Sequence, residues 1–102
     1  MTYAKLLSNN VINACDQAEI QIEQLMRDGL HWKEEARRKE VAGNTSVENT
    51  LSVNMMVKAE QEVCLDHLRR LRRVRSLARV AVDGTIFVGA EDFQAFFKTY
   101  QP

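Results

Sequence analysis

A chain of 102 residues is long enough for one hydrophobic core and too short for two, so the sequence predicts a single domain over residues 1–102. Hydrophobic residues make up 45% and charged residues 27% of the chain, as in soluble globular proteins, and no apolar run approaches the roughly 18 residues of a membrane-spanning helix. The formal net charge is zero, which makes the chain as a whole a poor ligand for nucleic acid.

The first predicted element is a long helix over about residues 2–42. Its buried side is predicted from apolar residues that recur every three or four positions. These residues are Leu7, Val11, Ala14, Ala18, Ile22 and Leu25. Gly29 interrupts the pattern, because a glycine inside a helix costs about 1 kcal/mol relative to alanine. Two outcomes are open: the helix ends near Gly29, or it continues to Ala42.

The second predicted element is a helix over about residues 46–82, and Gly43-Asn44 marks the break before it. Thr45 and Glu48 have the spacing of a capping box, in which a hydroxyl and a carboxylate bind the unpaired amides at a helix start. One face of this helix is expected to be buried. Its residues are Leu51, Met55, Ala59, Val63, Leu68, Leu71 and Leu77.

The last predicted element is a short helix over about residues 90–100. Asp83-Gly84 predicts a turn before it, and residues 85–88 are β-branched and aromatic, which is typical of an extended segment. Together these elements predict an all-α fold. It is an antiparallel helical hairpin of two long helices plus a short C-terminal helix.

The arginine segment, residues 67–79, is the most distinctive part of the chain. Its apolar residues recur every third position and can face a core, which leaves the arginines on the remaining surface. The candidate partner-binding residues are Arg69, Arg70, Arg72, Arg73, Arg75 and Arg79. Residues 1–66 hold eleven acids and seven bases, whereas residues 67–102 hold three acids and seven bases. This uneven charge predicts either pairing within the fold or an exposed basic surface.

Three kinds of acidic group could meet these arginines. They are carboxylates of the first helix, carboxylates of another protein chain and phosphates of nucleic acid. The carboxylates of the first helix are Asp16, Glu19, Glu23 and Asp28. Aromatic residues near the C-terminus allow a similar choice between core packing and a patch that a partner covers. The candidate partner-binding residues of that patch are Phe96, Phe97 and Tyr100, next to Phe93.

Residues with catalytic potential are not arranged for catalysis in this sequence. His31 and His67 lack a neighbouring nucleophile with the spacing that a nucleophile and its base require. Cys15 and Cys64 share no close-spaced motif with each other or with a histidine, so we expect no metal ion, no cofactor and no small-molecule substrate. Two cysteines in apolar helical patterns indicate a reducing, intracellular compartment. The sequence therefore predicts a non-enzymatic protein.

Two motifs in the second half of the chain match a known family. Cys64 is followed by Arg70-Leu71-Arg72-Arg73-Val74-Arg75-Ser76-Leu77, and small and acidic residues then lead to aromatics in Ala90-Glu91-Asp92-Phe93-Gln94-Ala95-Phe96-Phe97-Lys98-Thr99-Tyr100. These motifs resemble the helical domain of subunits in the GINS replication complex, most of all the partner-of-Sld-five type. The resemblance implies a scaffold that packs against sister subunits and helps to activate the replicative MCM helicase in the nucleus.

The sequence leaves three functions open. The first is a protein-interaction module of a hetero-oligomeric assembly, nuclear if it is GINS-like and otherwise cytoplasmic. The second is a nucleic-acid-binding helical domain that uses Arg69, Arg70, Arg73 and Arg75. The third is a small accessory or chaperone protein that forms a homodimer through the first helix. No membrane partner is expected for any of them.

Overall fold

The computed structural model describes residues 3–89, with side chains from Lys5 onward. Within them, strand β1 spans Tyr3–Leu7, helix α1 spans Ser8–Val41, helix α2 spans Val47–Arg79 and strand β2 spans Thr85–Gly89. The predicted all-α hairpin of two long helices is confirmed. The predicted C-terminal helix over about residues 90–100 lies outside the described residues.

The first helix begins at Ser8 rather than at about residue 2, because the residues before it form β1. In the antiparallel pair of β1 and β2, Tyr3 lies opposite Gly89 and Leu7 opposite Thr85. The backbone amides and carbonyls of residues 3–7 pair with β2, so they are not available for a longer helix. The second helix also ends earlier than predicted, at Arg79 rather than at about residue 82.

The turn between α2 and β2 forms at Asp83-Gly84, as predicted, and residues 85–88 are extended. Gly84 has a φ of 73°, a left-handed conformation that glycine adopts without steric cost. Its carbonyl accepts a hydrogen bond from the Ser8 amide at 2.8 Å. The Asp83 carboxylate accepts another from the Thr85 amide at 3.1 Å. These bonds fix the start of β2 beside the start of α1.

The chain divides into two compact units. Unit 1 combines Met1–Gln21 with His67–Pro102, so it contains both strands, the start of α1 and the end of α2. Unit 2 is Ile22–Asp66, and it contains the rest of both helices with the turn that joins them. The arginine segment therefore belongs to unit 1.

Buried residues that repeat every seventh position form a seam on both helices. In unit 1 they are Ser8, Cys15, Leu71 and Ala78, and in unit 2 they are Ile22, Gly29, Ala36, Thr50, Val57 and Cys64. A repeat of seven is the period of coiled-coil packing. A Cβ added to Gly29 would lie 3.2 Å from Cγ1 of Val57, so glycine permits close approach here. The first helix accordingly continues through Gly29 to Val41.

The predicted buried face of α2 is wrong for most of its large residues. Leu51, Met55, Val63 and Leu77 are exposed, whereas the seam holds the smaller Thr50, Val57, Cys64 and Ala78 together with Leu71. Small side chains at a seven-residue repeat let two helices approach closely, and the larger residues beside them fall outside the contact. The first helix shows the same effect. Val11, Ala14, Ala18 and Ile22 are buried as predicted, but Leu25 is exposed. Leu7 is also exposed, and it lies in β1 rather than in the helix.

The turn in unit 2 forms at Gly43-Asn44, as predicted. Gly43 has a φ of 75°, and the Asn44 amide donates to the Lys39 carbonyl at 2.8 Å, which is a glycine-based helix end. The helix start after it differs from the predicted capping box. Oγ of Ser46 accepts a hydrogen bond from the Asn49 amide at 3.1 Å, one position later than the predicted pair of Thr45 and Glu48.

Candidate protein-interaction surface

The arginine segment lies on α2 in unit 1, with its apolar residues against the core. Leu68, Leu71 and Val74 are buried, as the three-residue spacing predicts. Leu77 is exposed, because the seven-residue repeat places Ala78 in the seam instead. The helix therefore presents most of its arginines on the surface that faces away from α1.

Arg75 is the most buried of the arginines, and it binds two acids of α1. Its side chain is only 13% exposed. Nη1 donates to Asp16 Oδ1 at 2.9 Å and to Glu19 Oε1 at 3.1 Å, while Nη2 donates to Glu19 Oε2 at 3.1 Å. Two parallel bonds from one guanidinium to one carboxylate are the strongest geometry for this pair. Arg75 thus holds the two helices of unit 1 together.

Arg72 binds the same carboxylate from a more exposed position. Its Nε donates to Glu19 Oε2 at 3.1 Å. The hydrogen bonds from Arg75, and then those from Arg72, lower the pKa of Glu19 below its ordinary value despite partial burial. The same contact with Glu19, followed by that with Asp16, raises the pKa of Arg75. Glu19 and Arg75 therefore both remain ionised at neutral pH.

The remaining arginines of the segment are exposed. They are Arg69, Arg70, Arg73 and Arg79. Among residues 5–89, no acid forms an ion pair with Arg69, Arg73 or Arg79. Of the acids expected to face the segment, Asp16 and Glu19 do so, whereas Asp28 accepts a hydrogen bond from Gln24 within α1 at 2.8 Å. The segment thus divides into an internal pair of arginines and an external group.

The aromatic candidates Phe96, Phe97 and Tyr100 lie outside the described residues. A different group of apolar side chains, whose exposure was not predicted from the sequence, lies on the surface of unit 2. It consists of Leu25, Trp32, Met56 and Val63. The signal that could have found it is the seven-residue repeat, since these residues lie at fixed positions beside the seam.

The histidines and cysteines form no site in the part of the chain that the structure describes. Cys15 and Cys64 are both buried, and burial raises the pKa of the Cys64 thiol, which keeps it protonated. Among residues 3–89, no three histidine, cysteine or acidic side chains are grouped closely enough to hold a metal ion. The helices described here also include none that is long and apolar enough to cross a membrane.

The fold and the charged surface together define a helical hairpin with an outward-facing cationic helix. No protein-family model, curated protein or solved structure matches this chain.

Proposed function

We propose that this chain is a non-enzymatic protein-interaction module that helps to hold a multi-subunit assembly together through its arginine segment. The supporting observation is the division among the arginines. Arg72 and Arg75 are bound by acids of α1, but Arg69, Arg73 and Arg79 are exposed without an acidic partner among residues 5–89. Arginines that are not needed to neutralise the fold are available to carboxylates of another chain.

Arginine suits this role for a geometric reason. Its planar guanidinium can bind a carboxylate through two parallel hydrogen bonds, which gives orientation as well as attraction. Exposed ion pairs contribute little to the stability of a single chain. At an interface they speed association and reject partners of the wrong charge. The exposed arginines therefore act as selectivity elements, while apolar contacts supply most of the affinity.

We propose further that the assembly is a GINS-like DNA-replication complex. The support is the resemblance of residues 64–100 to the helical domain of that family. The buried positions of Leu71 and Val74, with Arg73 exposed between them, are compatible with a helix that packs inward and binds outward. In that setting the arginine segment would contact a sister subunit.

The experiment compares proteins captured by three forms of the chain from cells of its own organism. The forms are the natural sequence, the double variant Arg69→Glu/Arg73→Glu and the matched control Arg37→Glu/Arg38→Glu, which reverses two exposed charges in unit 2. We expect defined partners, replication proteins among them, to be lost only with the first double variant. Equal capture by all three forms would show that the arginine segment does not bind the captured proteins.

Nucleic-acid binding is the second candidate, and the same exposed arginines favour it. The test is fluorescence anisotropy with duplex and single-stranded oligonucleotides at increasing salt. Binding through about four phosphates weakens by roughly 10²-fold between 50 and 200 mM salt. Steep salt dependence that disappears in Arg69→Glu/Arg73→Glu would favour this second function. Absence of binding at low salt would leave the protein-interaction function.

A further inference from the structure

A row of large apolar side chains is uncovered on one side of the seam in unit 2. The positions three residues after the first four seam residues of α1 are filled in turn by Val11, Ala18, Leu25 and Trp32. Val11 and Ala18, in unit 1, are 1% and 7% exposed. Leu25 and Trp32, in unit 2, are 48% and 63% exposed. This position beside the seam is therefore apolar in both units, but its side chains are buried in unit 1 and exposed in unit 2.

Helix α2 extends this apolar surface in unit 2. Met56 and Val63, each one residue before a seam position, are both exposed and lie seven residues apart. Leu25 and Trp32 each lie four residues before the next seam position of α1, which is the same side of the seam as one residue before it. In an antiparallel helix pair, this side of the seam in both helices lies on the same flank. We call Leu25, Trp32, Met56 and Val63 the apolar face. On the opposite flank of unit 2, the polar residues Lys33, Asn54, Lys58 and Gln61 line a groove together with Leu65, which is 43% exposed.

Acids are interspersed with the apolar face. Asp28 lies between Leu25 and Trp32 along α1, and Glu60 lies between Met56 and Val63 along α2. Both acids are exposed. The face thus combines apolar area with negative charge, and a complementary surface must combine apolar area with positive charge.

Unit 1 of the same chain carries such a surface. Arg70, Arg73 and Leu77 are exposed and follow one another at intervals of three and four residues, so they form one stripe near the end of α2, and exposed Val80 comes directly after the helix. We call these four residues the basic stripe. By sequence, unit 2 holds nine acids and six bases, a net charge of −3, and unit 1 holds five acids and eight bases, a net charge of +3. The chain is therefore complementary in charge to a second copy of itself.

We propose that a second copy of this chain occupies the apolar face, in a closed dimer with two-fold symmetry. The apolar face of each copy binds the basic stripe of the other, so both surfaces are used twice and none is left for further growth. The inference rests on the proposed function, because it assigns a partner to part of the arginine segment.

The first test measures the mass and the tryptophan environment of the purified chain. Light scattering at increasing concentration should give a species of twice the 11.7 kDa chain mass. Trp32 is the only tryptophan, so its emission reports on the apolar face directly and should shift to shorter wavelength as the dimer forms. A monomer at about 100 μM, well above the micromolar range of ordinary interfaces, overturns the proposal, as does open-ended polymerisation.

The second test uses two adjacent methionines as a matched pair. Met55 and Met56 are 73% and 72% exposed on the same helix, but only Met56 lies on the apolar face. Met56→Glu should weaken the dimer at least about tenfold, whereas Met55→Glu should leave its dissociation constant unchanged. Circular dichroism checks that both variants keep their helices. Equal effects of the two substitutions contradict the proposed face.

The third test identifies the occupant. Asp28→Lys/Glu60→Lys reverses the charge of the apolar face, and Arg70→Glu/Arg73→Glu reverses that of the basic stripe. Each double variant alone should be monomeric, because like charges then meet. An equimolar mixture should form a heterodimer, since both contacts are again between opposite charges. Failure of the mixture to associate shows that the face does not bind the stripe, and overturns this arrangement.

Failure of the dimer proposal can be distinguished from failure of the proposed function. A natural chain that remains monomeric but loses captured proteins in Arg69→Glu/Arg73→Glu defeats the dimer alone. A dimer whose capture is unaffected by those arginines defeats the hetero-oligomeric function alone. Met56→Glu should give a monomer that still captures the partners of the assembly.

Discussion

Arg75 and Glu19 form a two-pronged ion pair between α2 and α1, with Nη1–Oε1 and Nη2–Oε2 distances of 3.1 Å. The Arg75 side chain is largely shielded from water. A charge in such a position is stabilising only while its partner is present, because an isolated charge at a part-buried site is costly. The pair therefore links the two helices of unit 1 and constrains how far either can rotate.

The first prediction concerns the loss of this link. Arg75→Ala should lower the free energy of unfolding by about 1–3 kcal/mol, since it removes three charge-assisted hydrogen bonds and leaves Glu19 with Arg72 alone. Arg73→Ala is the matched control and should change stability by less than about 0.5 kcal/mol, because Arg73 is exposed. Urea unfolding followed by circular dichroism measures both. Equal losses would mean that Arg75 does not join the helices.

The second prediction concerns the pH dependence that Glu19 confers. Its pKa is lowered from the ordinary 4.5 in the fold, so the folded state binds this proton less readily than the unfolded state. The stabilisation is complete above the unfolded pKa and is lost as the pH falls through the folded pKa. Unfolding free energy should therefore decline as the pH is lowered from about 5. Glu19→Gln should show a shallower decline, and an unchanged slope would exclude Glu19 as its source.

The sequence predicted element type better than it predicted which side of each helix is buried. Much of the helix length follows from local features that are visible in the sequence, such as Gly43 at the turn and the many helix-forming residues on each side of it. The buried side depends on how closely two helices approach. A three-or-four spacing selects the larger residues, such as Leu51 and Met55, but the seven-residue repeat of small ones determines the contact.

The candidate site was predictable in outline for a related reason. Opposite charges in the two halves of the chain made internal pairing of the arginines one of two alternatives, with Asp16 and Glu19 among the expected partners. The spacing of the arginines could not show which of them reach α1, because that depends on the rotation of α2. The seam sets that rotation: Arg75 then faces α1, whereas Arg73 faces outward.

The third prediction compares two leucines that the three-residue spacing treats alike. Leu71 is 0% exposed and Leu77 is 55% exposed. Leu71→Asp should abolish cooperative folding or cost at least about 3 kcal/mol, because it puts a polar carboxyl group into the core and removes apolar packing there. Leu77→Asp should cost less than about 1 kcal/mol. Thermal melts monitored by circular dichroism distinguish the two, and similar melting temperatures would contradict the seam.

The fourth prediction concerns the close approach of Gly29 and Val57. Gly29→Ala should gain about 1 kcal/mol of helix propensity, but the new methyl would lie 3.2 Å from Cγ1 of Val57, inside normal contact distance. Val57 is buried and β-branched, so its side chain cannot rotate away easily. We therefore expect a net loss of about 1 kcal/mol from overpacking in the natural sequence.

The same substitution should have the opposite sign when the obstacle is removed. In a Val57→Ala background there is no Cγ1 to meet the new methyl, so Gly29→Ala should raise the unfolding free energy by about 1 kcal/mol. The double-mutant cycle, measured by urea unfolding, should give a coupling of about 2 kcal/mol. A coupling near zero would show that α2 moves aside to admit the methyl. It would also mean that glycine at position 29 is not required by the approach of Val57.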